Sequence, residues 1–446
     1  MVRATLALAW LWFSFVAWPQ PALAQLDSNG LIGYAVTELG PQYDDVEQAI
    51  TRYRNRDFEG ASEFLTRAKQ QHPELPPAEV LMAKLHFAAN QVAAGRAGLE
   101  RAVRDQPKDP EAFLILAELS NAEGRLTAAD MLFTRAGANN QSLGDGEKRK
   151  RHYQLRILSG LAGIAERRED WAAAQKYLTA WATEDPDNSN VRERLGRALF
   201  MQKDFEKAQK AFASARQRDP ARPHADVLMA RLYHREGNVA EAQKYFDQAI
   251  ATDGSSVSTR LNCAEWWLER GQPDQAKPHL AMVLKQDPNS YDALWLSGLA
   301  ASMKEDYPAA EDYLGKAHLR NPTATHILCH LALALAAQKD EAKQGRAAAF
   351  ASLRTQQDPE NGDLDVTLGW ILYRLGRERE ADQHLNAALK SRSLSPDSRY
   401  LVARVFFERG RNELVAQLLD PALKSTELFV HRREAQELLE KVKGAK

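Results

Sequence analysis

The stretch RLGRALFMQKDFEKAQKAFASARQRDP, Arg194 to Pro220, is polar and alanine-rich and ends on Asp-Pro. Its apolar residues recur at helical spacing on both sides of a short polar turn, the pattern of two amphipathic helices. Steps of 34 residues from Pro220 reach Pro186 in one direction and Gly254, Pro288 and Pro322 in the other. Pro73 and Pro107 form an earlier pair, whose next step falls on Gln141. Three columns keep register with these points. Twelve residues before them stand Ala61, Gly95, Ala129, Ala174, Ala208, Ala242, Ala276 and Ala310. Eight before stand Leu65, Leu99, Phe133, Leu178, Phe212, Phe246, Leu280 and Leu314. Five before, a small residue usually returns: Ala68, Ala102, Ala136, Trp181, Ala215, Ala249, Val283 and Ala317. The stretch is therefore one copy of a repeated unit.

Each unit reads as two amphipathic helices of about 13 residues joined by a polar turn. Gly124, Gly237, Gly271, Gly376 and Gly410 sit at that turn, where a helix C-terminus favours a left-handed residue. The small columns mark where two helices approach closely, and the large residue fills the space between them. The closing proline cannot continue the helix. One hairpin cannot bury its apolar stripe alone, so the units must stack.

This pattern resembles the tetratricopeptide repeat family. Leu195-Gly196, Ala208, Phe212 and Pro220 carry the match in the opening stretch, with Tyr233, Ala242 and Phe246, and Gly298, Ala310, Leu314 and Pro322, further on. The family's first aromatic is replaced, with Arg192 and Asp226 at that place. The resemblance covers about residues 42–422 and implies an all-α, right-handed solenoid of about ten stacked helix-turn-helix repeats. The expected organisation is a signal peptide over 1–24, an N-terminal segment over 25–41, repeats over 42–141, an inserted segment over 142–154, repeats over 155–422 and a capping helix over 423–446. Two irregularities interrupt the array. The register slips by 11 residues between Ala138 and Tyr153, and the period lengthens to 37 after Pro322.

The first residues combine Arg3, an apolar run from Leu6 to Trp18 and the small-x-small site Ala22-Leu23-Ala24. They read as a secretory signal peptide cleaved before Gln25. That run is short of the roughly 20 residues of a spanning helix, and no second run is long enough. The expected location is the periplasm or the exterior, with no membrane span after processing. The chain of 446 residues has 59 Lys and Arg against 60 Asp and Glu, a net charge of −1 that excludes a general affinity for nucleic acid. One basic run, Lys148 to Arg151, reads either as a solvated helix start or as a contact for an anionic polymer or head group. Cys263 and Cys329 lie nearly two repeats apart, too far for a disulfide, which needs Cα atoms within about 7 Å.

No catalytic, phosphate-cradling or zinc-ligand motif is present, so neither an enzyme nor a cofactor site is expected. His326, Cys329 and His330 share one helix face, but a structural zinc site needs four ligands and no fourth is apparent. The family resemblance implies that the first helix of each unit lines a concave, ligand-facing surface. Carried over place by place, it selects Arg197, Arg231, Glu265, Trp295, Leu299, Trp370 and Tyr373 as partner-contacting residues. For Trp295 and Trp370 packing between helices is the competing assignment, whereas Trp266-Trp267 reads as packing. The Lys-Asn pair with which some members grip a carboxyl terminus is missing at the matching places. The resulting expectation is an exported, non-enzymatic scaffold that captures an extended or helical protein segment, in assembly or export of an envelope component. The alternative is a polysaccharide-binding or polymer-export factor using groove aromatics.

Overall fold

The computed structural model describes residues 25–36, 38–144, 146–391 and 393–444. The expected signal peptide lies outside them. Among the described residues the chain is all-helical, with 24 α-helices, one 3-10 turn and no strand. The helices gather into two compact units that divide between Pro220 and Ala221.

The first unit begins with a short helix α1 (Ser28–Ile32). Five antiparallel pairs follow: α2 (Asp44–Arg54) with α3 (Phe58–Gln71), α4 (Ala78–Ala88) with α5 (Val92–Asp105), α6 (Pro110–Ala122) with α7 (Leu126–Gln141), α8 (Glu147–Arg167) with α9 (Trp171–Glu184), and α10 (Ser189–Met201) with α11 (Phe205–Arg218). The second unit has six: α12 (Ala225–Arg235) with α13 (Val239–Asp253), α14 (Val257–Glu269) with α15 (Pro273–Gln286), α16 (Tyr291–Met303) with α17 (Tyr307–Arg320), α18 (Thr325–Ala336) with α19 (Glu341–Gln357), α20 (Gly362–Arg374) with α21 (Glu378–Ala388), and α22 (Pro396–Glu408) with α23 (Asn412–Lys424). A last helix, α24 (Arg432–Gly444), packs on α22 and α23. The pairs number eleven, in line with the expected array of about ten.

The three sequence columns all lie on second helices, and they are the core. Ala208, Ala242, Ala276 and Ala310 have no exposed surface, and Phe212, Phe246, Leu280 and Leu314 have at most 2%. Close approach explains the small residues that face them. A Cβ on Gly196 of α10 would lie 2.5 Å from the Phe212 ring, and one on Gly298 of α16 would lie 2.5 Å from Leu314. The turn glycines Gly124, Gly237, Gly271, Gly376 and Gly410 all have φ between 67° and 76°. Arg56, Asn90, Glu169, Lys203 and Glu305 hold comparable positive φ, 57° to 66°, where other pairs turn. A side chain there carries the steric cost that glycine avoids.

The second helices stand behind the first. Successive first helices touch one another, as α6 touches α8, α14 touches α16, and α20 touches both α18 and α22. Each unit therefore presents a wall of first helices whose outward side chains do not face the repeat core.

Candidate functional site

In the first unit this wall is covered by the chain itself. Residues 26–36 lie across α2, α4, α6 and α8. Leu26, Leu31, Ile32, Ala35 and Val36 join one apolar cluster with Val46, Ile50 and Tyr53 of α2 and Leu81 and Leu85 of α4. The backbone of the segment is held by side chains. Arg54 donates to the Leu26 carbonyl at 2.6 Å, the Ser28 N–H donates to Glu47 at 3.1 Å, and Lys148 donates to the Gly33 and Val36 carbonyls at 2.8 Å each.

Tyr34 is the specific contact. Its hydroxyl donates to Glu111 Oε1 at 2.5 Å and accepts from Lys84 Nζ at 2.6 Å. Lys84 also lies 4.0 Å from the centre of the Tyr34 ring, and the His152 ring lies tilted against it at 4.8 Å. Glu111 is fully buried and pairs with Lys84 at 2.8 Å, while the Tyr153 hydroxyl donates to its other oxygen. Arg149 donates to Tyr153 at 2.7 Å and pairs with Asp109 at 2.5 Å. Burial pushes the Glu111 carboxyl up, but Lys84 and Arg149 outweigh it and hold the group down at about 2. Burial, with Glu111 beside it, drives the Tyr34 phenol well above its ordinary value. The cluster is thus a charged carboxylate paired with Lys84 and flanked by neutral phenols hydrogen-bonded to it.

The inserted segment builds one side of this site. Its residues 147–154 are the first two turns of α8, which reaches 21 residues. Of the basic run, Lys148 and Arg151 remain exposed at the start of α8 while Arg149 is buried. Lys148 is spent on the segment carbonyls, Arg149 is buried against Asp109 and Tyr153, and Arg151 donates to the Glu184 carbonyl at 2.8 Å.

The second unit repeats the arrangement with the other end of the chain. Leu428 packs against the cluster formed by Ala264, Leu268, Leu280 and Leu296 of α14–α16. Phe429 and the α24 residues Ala435, Leu438, Leu439 and Val442 join the cluster of α22 and α23, with Leu333, Trp370 and Tyr373 at its edge. Asp397 of α22 accepts from the N–H groups of Val430 and His431 at 3.1 Å each, and its Oδ1 lies 2.6 Å from the His431 ring. Tyr400 stacks on that ring at 4.9 Å. The C-terminal residues expected as a solvating cap therefore reach back as far as α14.

The residues selected from the sequence divide accordingly. Arg231 and Glu265 meet across α12 and α14, where Arg231 also donates to both oxygens of Glu269 at 2.9 Å. Arg197 of α10 lies 5.5 Å from the centre of the Trp171 ring, which begins α9 of the preceding repeat. Trp295 is half-buried, with its ring 4.9 Å from His326. Trp370 and Tyr373 are half-buried neighbours, and Arg409 stands 5.1 Å over the Tyr373 ring. Leu299 is a correction: it is 1% exposed and has no face to offer a partner. It follows Gly298 at the point where α16 is pressed closest to Leu314. Of the Trp266-Trp267 pair it is Trp266 that is fully buried, against Phe246 at 4.9 Å.

A polar cavity of about 160 Å³ opens between α18, α20 and α22, lined by His326, Cys329, His330, Asp363, Thr367 and Asp397 among others. No three His, Cys, Asp or Glu side chains converge as a metal site among the described residues. Burial pushes the Cys329 thiol up to about 11 and the Cys263 thiol up to about 12, and both cysteines are unbridged. Among the described residues no helix is long and apolar enough to cross a membrane.

Stacked helix pairs with a wall of first helices define a helical-repeat scaffold. The tetratricopeptide repeat model matches residues 52–119, 166–232 and 233–303, and a second tetratricopeptide repeat model matches 366–426, together more than half of the chain. The chain belongs to the tetratricopeptide repeat family, whose members are typically non-catalytic scaffolds for protein–protein interaction. Similar solved structures include a tetratricopeptide repeat protein from Parabacteroides merdae, 16% identical, covering 57% of this chain and 99% of that one with a TM-score of 0.44. MamA is 20% identical over 36% of this chain and 92% of that one, with a TM-score of 0.32. Yeast Tom70 is 14% identical over 91% and 96%, with a TM-score of 0.37. At those scores the family assignment rests on the repeat match and the helix pairs.

Proposed function

We propose that this protein is a non-enzymatic scaffold that captures a polypeptide segment on its first-helix walls. The observation that carries the reading is the course of residues 26–36, which lie on that wall in the first unit and are held by main-chain hydrogen bonds and apolar anchors. A surface that binds one chain segment this way has the chemistry to bind another. A polysaccharide would need open aromatic faces for stacking. Trp295 has His326 against it, and Trp370 and Tyr373 are half-buried at the edge of a cluster, which favours polypeptide.

We further read the chain as exported, acting in assembly or export of an envelope component. Arg3, the apolar run to Trp18 and Ala22-Leu23-Ala24 support a cleavable leader. Leu26, 3% exposed, is the first described residue held in the core, so cleavage before Gln25 leaves the packed segment whole. Photo-crosslinking side chains placed at Arg231, Trp370 and Tyr373, and as controls at the outer positions Met131 and Leu319, test the scaffold. Protein adducts confined to the first-helix positions are expected in envelope extract. Equal labelling at the outer positions, or adducts removed by glycosidases alone, would sink it. Fractionation and N-terminal sequencing test export, and a chain still beginning before Gln25 would count against it.

A further inference from the structure

The scaffold reading leaves the partner's chemistry open, and the first unit narrows it. We infer that the wall formed by α2, α4, α6 and α8 is a binding site for a segment carrying two adjacent aliphatic residues and, two positions on, a tyrosine, with Leu31, Ile32 and Tyr34 of this chain as its resident occupant. The inference rests on the scaffold reading and adds the recognition rule.

Three features separate this site from an ordinary terminal cap. Most of the main-chain contacts are not specific to sequence: Arg54, Lys84 and Lys148 all take carbonyl oxygens, which any segment supplies. The apolar seat takes Leu31 and Ile32, each at most 1% exposed. Beneath the tyrosine lies a charged pair, Lys84 and Glu111, rather than the apolar packing that would seal a permanent core more cheaply. The pair reads the hydroxyl from both sides, as acceptor and as donor. A phenylalanine in its place leaves both buried groups one hydrogen bond short, and sites of that kind reject the analogue strongly. The occupant has little structure of its own. Its helix α1 spans only five residues.

The test uses the full chain carrying Leu31→Asp and Tyr34→Ala, whose own segment cannot dock, and a fluorescein-labelled peptide of residues 25–38, QLDSNGLIGYAVTE. Saturable binding at least tenfold tighter to the variant than to the wild type is expected. The same peptide with phenylalanine at the tyrosine position should bind more weakly by about a hundredfold or more, the loss of two hydrogen bonds to charged groups. A variant that keeps its helical signal and its hydrogen-exchange protection over α4 to α8 yet fails to bind overturns the inference, as does equal binding of the two peptides. If the variant does not fold, a second chain keeps every docking side chain and carries a protease site in place of residues 38–40. After cleavage, excess peptide should displace the segment. Retention until the unit unfolds would make it a fixed cap and overturn the inference. Crosslinks in the second unit report the wider scaffold reading independently, so either can fail alone.

Discussion

Glu111→Gln isolates what the buried cluster contributes. Glu111 has no exposed surface and faces Lys84 at 2.8 Å, and Lys84 is itself only 8% exposed. Arg149 keeps Asp109 at 2.5 Å after the change, so the loss falls mainly on Lys84. An amide in place of the carboxylate leaves a buried ammonium without its anion. Removing one partner of such a pair costs about 3–5 kcal/mol. For a unit of this size that is a fall of roughly 6–20 °C in the thermal midpoint. Lys84→Met should cost a similar amount, because it strands the carboxylate instead. The double variant Lys84→Met, Glu111→Leu removes both charges. It should be less destabilised than the sum of the two single changes by about 2 kcal/mol or more, since an apolar replacement of a whole buried pair is close to neutral. Urea unfolding followed by circular dichroism, with hydrogen exchange read over α4, α6 and α8, measures all three. Single variants that each cost under about 1 kcal/mol, or costs that simply add, would refute the account of Glu111 as the charge on which the segment's site depends.

The turns make a second prediction: Lys203→Gly, at φ 66°, should stabilise by about 1 kcal/mol, and Gly237→Ala, at φ 76°, should destabilise by a similar amount in thermal unfolding. Trp295→Ala should cost about 2–3 kcal/mol, below the roughly 3–5 kcal/mol for the fully buried Trp266→Ala, and equal costs would mean that Trp295 has no open face. Burial, with Arg156 beside it, pushes His152 from 6.5 down to about 4, so the folded chain holds it neutral while the unfolded chain takes up a proton. Stability should be full above pH 6.5 and fall as pH drops toward 4, and His152→Gln should flatten urea midpoints measured across that window.

The repeat was legible because periodicity reports which side of a helix faces its neighbour. Ala208 and Phe212 sit four residues apart on one side of α11, and so do their counterparts in seven other units, so composition at those places is dictated by the fold. The first-helix places were legible only as places. Arg231 and Glu265 were selected from the sequence separately, and only the structure joins them across α12 and α14. Leu299 was misassigned because a family position gives a direction and says nothing of how closely that helix is pressed. Residues 26–36 carry no repeat period, so nothing in the sequence says what they cover.

The register slip before Tyr153 carried more information than its spacing alone conveyed. Residues 147–154 add about two turns to the N-terminal end of α8, so the facing of the residues that follow is set within the helix itself. Lys148 and His152 are four residues apart, as are Arg149 and Tyr153, and each pair lies along one side of the extended helix. The first pair meets the segment, at the Gly33 and Val36 carbonyls and the Tyr34 ring, and the second closes around Glu111 and Asp109. The interruption in the repeat therefore supplies Lys148, Arg149, His152 and Tyr153, the residues that complete the first-unit site.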